Sequence, residues 1–383
     1  MTDLSIVNHY RQSLALRSAA ISFLPIAVLL FCPASQAGDV ILLHSTDKAT
    51  AWTDAMGHGL SMELTGTTNI VPFYLGLDVH DDDHFETKYE TLVAQWQGHS
   101  PMAVVTDGAT AFAFMRKYRE DLFVGTTVLY CGIPRPEPEY LSQCGDCAGI
   151  PIRYSAKNTV DLVFALQPAT TIVVGITDGT PKSQVLRMEV ENRMQHYSDR
   201  AQVVFPGHEL GDDKGLDLQS LASVASSVPR SGAVLYLGFT KDTNGLSVDE
   251  DKVIHLLTTR SEGPVYTLSD QWIGRGVLGG VVVRASDIGR KIGRMTKRIL
   301  AGEPAREMLG EAVKPLPVID LTELTRRGIS TSLLPKNTLA VNIPQHPEES
   351  RSVDSNWLTI GIAILVCLIV LLLIRRSRAR KGM

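Results

Sequence analysis

The sequence is short of most features that would announce an enzyme or a nucleic-acid binder. Cysteine is scarce, with five in 383 residues. Only Cys131, Cys144 and Cys147 lie outside the apolar terminal segments, so a small domain stapled by several disulfides is excluded. The formal net charge is −4, and no long block of one sign occurs before the last nine residues, which removes the electrostatic footprint of a nucleic-acid partner. Gly-x-Ser-x-Gly, the phosphate-binding Gly-x-x-x-x-Gly-Lys-Ser/Thr and His-Glu-x-x-His are all missing. No internal repeat is evident. The donor-rich run from His80 through Asp81, Asp82 and Asp83 to His84 reads as a solvated turn and helix cap, and His208 with Asp212 and Asp213 is a weaker cluster still. No metal, cofactor or catalytic residue is assigned.

What is present begins at the ends. Residues 1–37 read as a secretory signal: a polar start with Arg11 and Arg17, an apolar stretch from Ile21 to Phe31, and small residues at Ser35 and Ala37. Cleavage after Ala37 and retention as an anchor both fit. Cys32 lacks a small residue directly before it, which argues against a lipid anchor. Trp357 to Ile374 is an uncharged run, about 27 Å long as a helix, close to the thickness of a hydrocarbon core. Arg375, Arg376, Arg378, Arg380 and Lys381 follow it at once and place residues 375–383 on the cytoplasmic side. The expected topology is single-pass in a bacterial inner membrane, with about 320 residues in the periplasm or outside the cell, enough for two lobes.

Within that exported part, nearly continuous apolar runs alternate with helical stretches. The runs are Val40 to His44, Ile70 to Leu75, Met102 to Thr106, Thr127 to Cys131, Thr171 to Ile176, Ala201 to Phe205, Ala233 to Leu237 and Pro264 to Leu268. Unbroken apolar strands belong to parallel sheets covered on both faces. Helices are expected at Trp52 to Thr65, Glu86 to Gln97, Ala109 to Tyr118, Pro181 to Tyr197, Asp249 to Arg260 and Ile288 to Leu300. A strand about every 30 residues is the rhythm of βαβ units. The fold class is therefore α/β, with two doubly wound parallel sheets. Residues 38–148 form a first lobe and 149–263 a second. Residues 264–344 hold a hinge return around Gly276 to Arg284, a closing helix and a Pro-punctuated segment. Residues 345–356 are a polar linker.

Open parallel sheets bind ligands beyond the C-terminal ends of their strands. The candidate ligand contacts at those ends are His44, Ser45, Trp52, Asp107, Gly108 and Tyr130 in the first lobe, and Thr177, Asp178, Thr240, Ser269 and Asp270 in the second. Hydroxyls and backbone N–H groups suit a carboxylate, acids suit an amine and an aromatic ring suits an apolar part; each Ser, Thr or Asp also fits a helix cap. For Cys144 and Cys147, a structural disulfide, free thiols and thiol–disulfide chemistry are all open, and with Cys131 they make an odd set.

The residues from Val40 to Ser45, Trp52 to Asp54, Asp107 through Leu122 to Gly125 and Val128 to Ile133 resemble a known family. So do Val265 to Asp270, Gly276 to Gly280, Gly289 with Arg290, Arg298 to Pro304, Leu321 to Ile329 and Leu334 with Pro335. The family is that of the substrate-binding-protein-like domains of bacterial ABC transport systems, especially those forming the extracytoplasmic sensor of histidine kinases and diguanylate cyclases. The resemblance implies a type I periplasmic-binding fold whose lobes close on a small solute such as an amino acid or a sugar. Such relatives continue past the membrane into an output enzyme, whereas here Met383 follows the basic tail. Three roles fit: a solute-binding protein acting through a separately encoded kinase, cyclase or transporter permease; a thiol–disulfide protein using Cys144 and Cys147; and a degenerate receptor without its output domain. Lipid would be met through residues 357–383.

Overall fold

The computed structural model describes residues 38–343, apart from 47–48, 65, 67, 77–81, 97–98, 135–143, 145, 209–214 and 309. The secretory segment, the linker, the Trp357 to Ile374 run, the basic tail, and His80 and Asp81 lie outside the described residues. Among the described residues no helix is long and apolar enough to cross a membrane.

The chain forms two sheets. The first contains β1 (Gly38–His44), β2 (Thr68–Tyr74), β3 (Ala103–Asp107), β4 (Thr127–Cys131) and β5 (Cys147–Gly149), all parallel in the order β2-β1-β3-β4-β5. The central strands β1, β3 and β4 are almost wholly buried, which is why they read as unbroken apolar runs. Their faces are covered by α1 (Ala51–Leu64), α2 (Asp82–Trp96) and α3 (Ala109–Leu122).

The second sheet holds β6 (Ile172–Thr177), β7 (Gln202–Val204), β8 (Gly232–Gly238), β9 (Val265–Thr267), β10 (Gly279–Val282), β11 (Leu316–Asp320) and β12 (Leu339–Val341), in the order β12-β11-β10-β9-β8-β6-β7. It is parallel except where β11 runs against β10. Its covering helices are α4 (Ala156–Leu166), α5 (Pro181–Met194), α6 (Leu218–Ser227), α7 (Glu250–Arg260) and α9 (Leu321–Arg326).

Both sheets share the doubly wound order 2-1-3-4-5 counted from their first strand. The eight strands and six helices expected from the sequence are all formed. The Gly276 to Arg284 stretch is more than a connection: Gly279–Val282 is a strand of the second sheet. That sheet therefore runs on through residues 264–343.

Between β10 and β11 the chain leaves the second sheet to form α8 (Ala285–Leu300), which packs on the first. A Cβ on Gly289 would lie 2.1 Å from the Met56 carbonyl oxygen, and one on Gly59 would lie 2.3 Å from that of Ser286. Glycine at these positions lets α1 and α8 cross backbone to backbone. The lobes are thus joined three times, by residues 150–155, by Val283 and Arg284, and by residues 310–315.

Candidate functional site

Strand register assembles the first lobe's contribution. His44 stands opposite both Tyr74 and Asp107, and Asp107 opposite Cys131. The His44 ring accordingly stacks on Tyr74, with centroids 5.1 Å apart, and its Nδ1 donates to Asp107 Oδ2 at 2.9 Å. The other Asp107 oxygen accepts from Trp52 Nε1 at 3.3 Å. Asp107 is buried and His44 fully so. The acid therefore fixes the indole of Trp52, at the start of α1, rather than meeting solvent itself.

Ser45 Oγ donates to the Asp107 carbonyl at 2.8 Å and accepts from Ala111 N at 3.0 Å. It caps the start of α3, so Ser45, His44 and Asp107 do not form a nucleophile relay despite their composition. Gly108 N is spent on the Cys131 carbonyl. Tyr130 is buried against Phe112, and that burial raises its phenol above the ordinary range.

A second polar cluster ties the strand ends of the other lobe. Asp178 Oδ1 accepts from Thr180 N at 3.1 Å, Thr180 Oγ1 at 2.6 Å and Ser183 Oγ at 2.5 Å. Its Oδ2 accepts from Thr240 N at 2.9 Å and Thr240 Oγ1 at 2.8 Å. Burial alone would raise this carboxyl, but the hydrogen bonds from Ser183, Thr180 and Thr240 outweigh it and hold the group below its usual value. Asp178 is an internal lock between the end of β6, the start of α5 and the end of β8. Thr177 is buried beside it, its carbonyl accepting from His208 Nε2 at 3.1 Å.

Between the lobes lies a cleft of about 610 Å³. Thr46, Thr50, Trp52 and Asp54 line it from the first lobe, and Thr240, Glu250, Gln271, Trp272 and Arg275 from the second. A further chamber of about 200 Å³ shares Trp52, Thr240, Glu250 and Trp272, and reaches Ser269, Tyr236 and Tyr154 at the first lobe crossing. Of the eleven residues picked from strand ends, Trp52, Thr240 and Ser269 line this space. His44, Asp107 and Gly108 form the layer behind Trp52, and Asp178 stands behind Thr240.

Asp270 is placed elsewhere, at the second crossing. Its Oδ2 accepts from Ala285 N, the first residue of α8, at 3.2 Å, while its Oδ1 is buried with no partner. Burial pushes this carboxyl up to about 6, against the smaller opposing pull of the Ala285 N–H and the Arg284 charge.

Strand-end reasoning passed over Tyr154, Tyr236, Glu250 and Arg275. Glu250 accepts from the Tyr236 hydroxyl, which itself accepts from Phe239 N at 3.0 Å. The Tyr236 ring meets Trp272 edge to face at 6.3 Å. Arg275 pairs with Asp251 and lies over Trp272, 5.6 Å from the ring centre. The sequence signal for this group was the acidic triplet Asp249 to Asp251 opening α7, which also has the form of an ordinary helix start.

Cys144 and Cys147 are joined in a disulfide at the edge strand β5, and Cys131 is a free, buried thiol. Arg119 donates to Cys144 Sγ and pairs with Asp146. His84 donates from Nε2 to the Leu75 carbonyl at 3.0 Å. Among the described residues no group of acids, histidines and cysteines could hold a metal ion.

No family model and no curated protein sequence matches the chain. Solved structures do match it in fold. An ABC domain from Streptococcus pneumoniae in complex with L-Trp is 18% identical with a TM-score of 0.56, covering 80% of this chain and 100% of that one. A conserved domain protein from Vibrio cholerae is 12% identical with a TM-score of 0.55, covering 80% and 99%. The ligand-free, open form of a substrate binding protein with adhesive properties from Clostridium difficile is 14% identical with a TM-score of 0.53, again covering 80% and 99%. At these identities the shared property is the two-lobed type I periplasmic-binding fold.

Proposed function

We propose that the chain is a membrane-anchored extracytoplasmic solute-binding protein that captures or senses a small molecule between its lobes and acts through a membrane partner. The observation that carries this reading is the cleft flanked by Trp52 on one lobe and Trp272 on the other. Two rings facing a common space from bodies joined by three crossings form a grip that tightens on closure. Binding can shift the open and closed populations only as far as the solute prefers the closed form, and aromatic faces on both walls supply that preference.

The solute is a small polar molecule with a flat or apolar part, of the size of an amino acid or a sugar. L-Trp, which the Streptococcus neighbour holds, is one such molecule. No catalytic step is assigned, because the His44 and Asp107 pair has no nucleophile aligned with it. The anchor is the uncharged run from Trp357 to Ile374 with its basic tail, and the partner would be a kinase, a cyclase or a permease.

Thermal unfolding of the full-length chain against amino acids, sugars, nucleosides and carboxylates tests the binding reading. A ligand at 100 times its Kd adds about 2.7 kcal/mol of stability. A saturable rise in Tm with some solute, lost in Trp52→Ala, is expected, and no shift across the panel would reject it. Alkaline extraction of membranes tests the anchor, since a span resists it and a peripheral protein is released.

A thiol–disulfide role for Cys144 and Cys147 is favoured by one feature, the Arg119 guanidinium that would stabilise a thiolate at Cys144. Burial of both sulfurs opposes it. Reduction of a substrate disulfide by the wild type but not by a Cys144→Ser, Cys147→Ser protein would establish it.

A further inference from the structure

The charges around the cleft are one-sided. Asp54, Asp249, Glu250 and Asp251 contribute four carboxylates to its lining against the single guanidinium of Arg275, three negative charges in excess. Arg275, the only cation among the described residues lining it, is already paired with Asp251 and lies over the Trp272 ring. Hydroxyls that could receive a ligand carboxylate are engaged as well: Thr240 gives both its N–H and its Oγ1–H to Asp178. Thr50 Oγ1 is shared with Thr53.

Within the solute-binding reading, and resting on it, we infer that the cleft selects an organic cation, an amine or guanidine without a carboxylate, over the corresponding zwitterion. An anionic group brought into this space meets like charge and few uncommitted donors, so its desolvation goes uncompensated. A cationic group meets carboxylates from both lobes, Asp54 on one and Glu250 on the other, with the Trp52 indole close by for its apolar part or its charge. The Arg275 guanidinium over Trp272 shows the same chemistry within the chain: a ring face and an acid holding a cation together. A metal ion is the weaker occupant, because no group of ligands among the described residues converges.

The test is calorimetric titration of the full-length chain with two pairs that differ only in the α-carboxylate, tryptamine against L-tryptophan and agmatine against L-arginine. At least one amine is expected to bind about ten-fold or more tightly than its amino acid, to weaken as NaCl is raised, and to lose about that advantage in Asp54→Asn. Equal or tighter binding of the amino acid in both pairs would overturn the inference. If an amino acid or sugar then still bound in a Trp52-dependent way, the solute-binding reading would stand while the cation preference fell. If no solute of any class bound, both would fall.

Discussion

At the scale of single residues, the most informative group is Asp270, whose carboxyl is pushed up to about 6 by burial at the second lobe crossing. A folded-state value above the ordinary 3.8 means that the folded chain holds this proton more tightly than the unfolded chain. Its stabilising contribution is therefore complete below about pH 4 and is lost as the pH rises through about 6. Asn mimics the protonated acid. Asp270→Asn should exceed the wild type in stability at pH 8 by at most about 3 kcal/mol, and the difference should vanish near pH 4. Urea unfolding at the two pH values measures this, and a difference that stayed constant with pH would remove the titration from Asp270.

Asp107 acts by positioning. Asp107→Ala leaves the His44 ring buried without its acceptor and frees the Trp52 indole, so a loss of about 1–3 kcal/mol in stability is expected together with weaker solute binding. Asp107→Asn, which keeps an acceptor for either neighbour, should restore most of both. A variant with normal stability and normal affinity would show that Trp52 needs no support.

At the scale of elements, the crossing of α1 over α8 depends on backbone approach. Gly289→Ala places a methyl 2.1 Å from the Met56 carbonyl oxygen and must push the helices apart, at an expected cost of about 1–3 kcal/mol. The disulfide is a milder device, since it closes a loop of very few residues. Loop-closure entropy gives it about 2 kcal/mol, so reduction should lower Tm while leaving solute affinity within about two-fold.

These elements also show what a sequence can and cannot reveal. The buried strands β1, β3, β4, β6 and β8 were legible because strands covered on both faces must be apolar throughout. β10 was not, because Gly276 to Arg284, with Gly279 and Gly280 inside it, reads as a hinge return. A Cβ on Gly280 would lie 1.8 Å from the Thr267 carbonyl oxygen, so the glycine is demanded by the close packing of the neighbouring strand β9, a contact that sequence pattern does not display. α4 is obscured by the low helix propensity of the β-branched Thr159, Val160 and Val163, although with Ala156 they keep the i, i+3, i+4, i+7 spacing of a buried helix face; β11 was hidden by Pro315 and Pro317.

At the scale of the whole molecule, two sheets of like topology hold a cleft whose polar ends fall into two layers. Of the strand-end residues picked out by sequence, Trp52, Thr240 and Ser269 line the cleft. It could not separate cleft from support, because Asp107 and Asp178 have the composition of ligand contacts and are turned inward by hydrogen bonds across 55 to 63 positions of sequence. Glu250, Tyr236 and Arg275 became visible only when α7 and the turn after Trp272 were brought together by folding. The central claim is that a solute sits between Trp52 and Trp272. Its most direct test is fluorescence titration of a full-length Trp96→Phe, Trp357→Phe protein, in which these two are the remaining tryptophans. A saturable change with the same midpoint as the rise in Tm is the expected result. A rise in Tm with no change in the emission of either ring would place the solute elsewhere and contradict the claim.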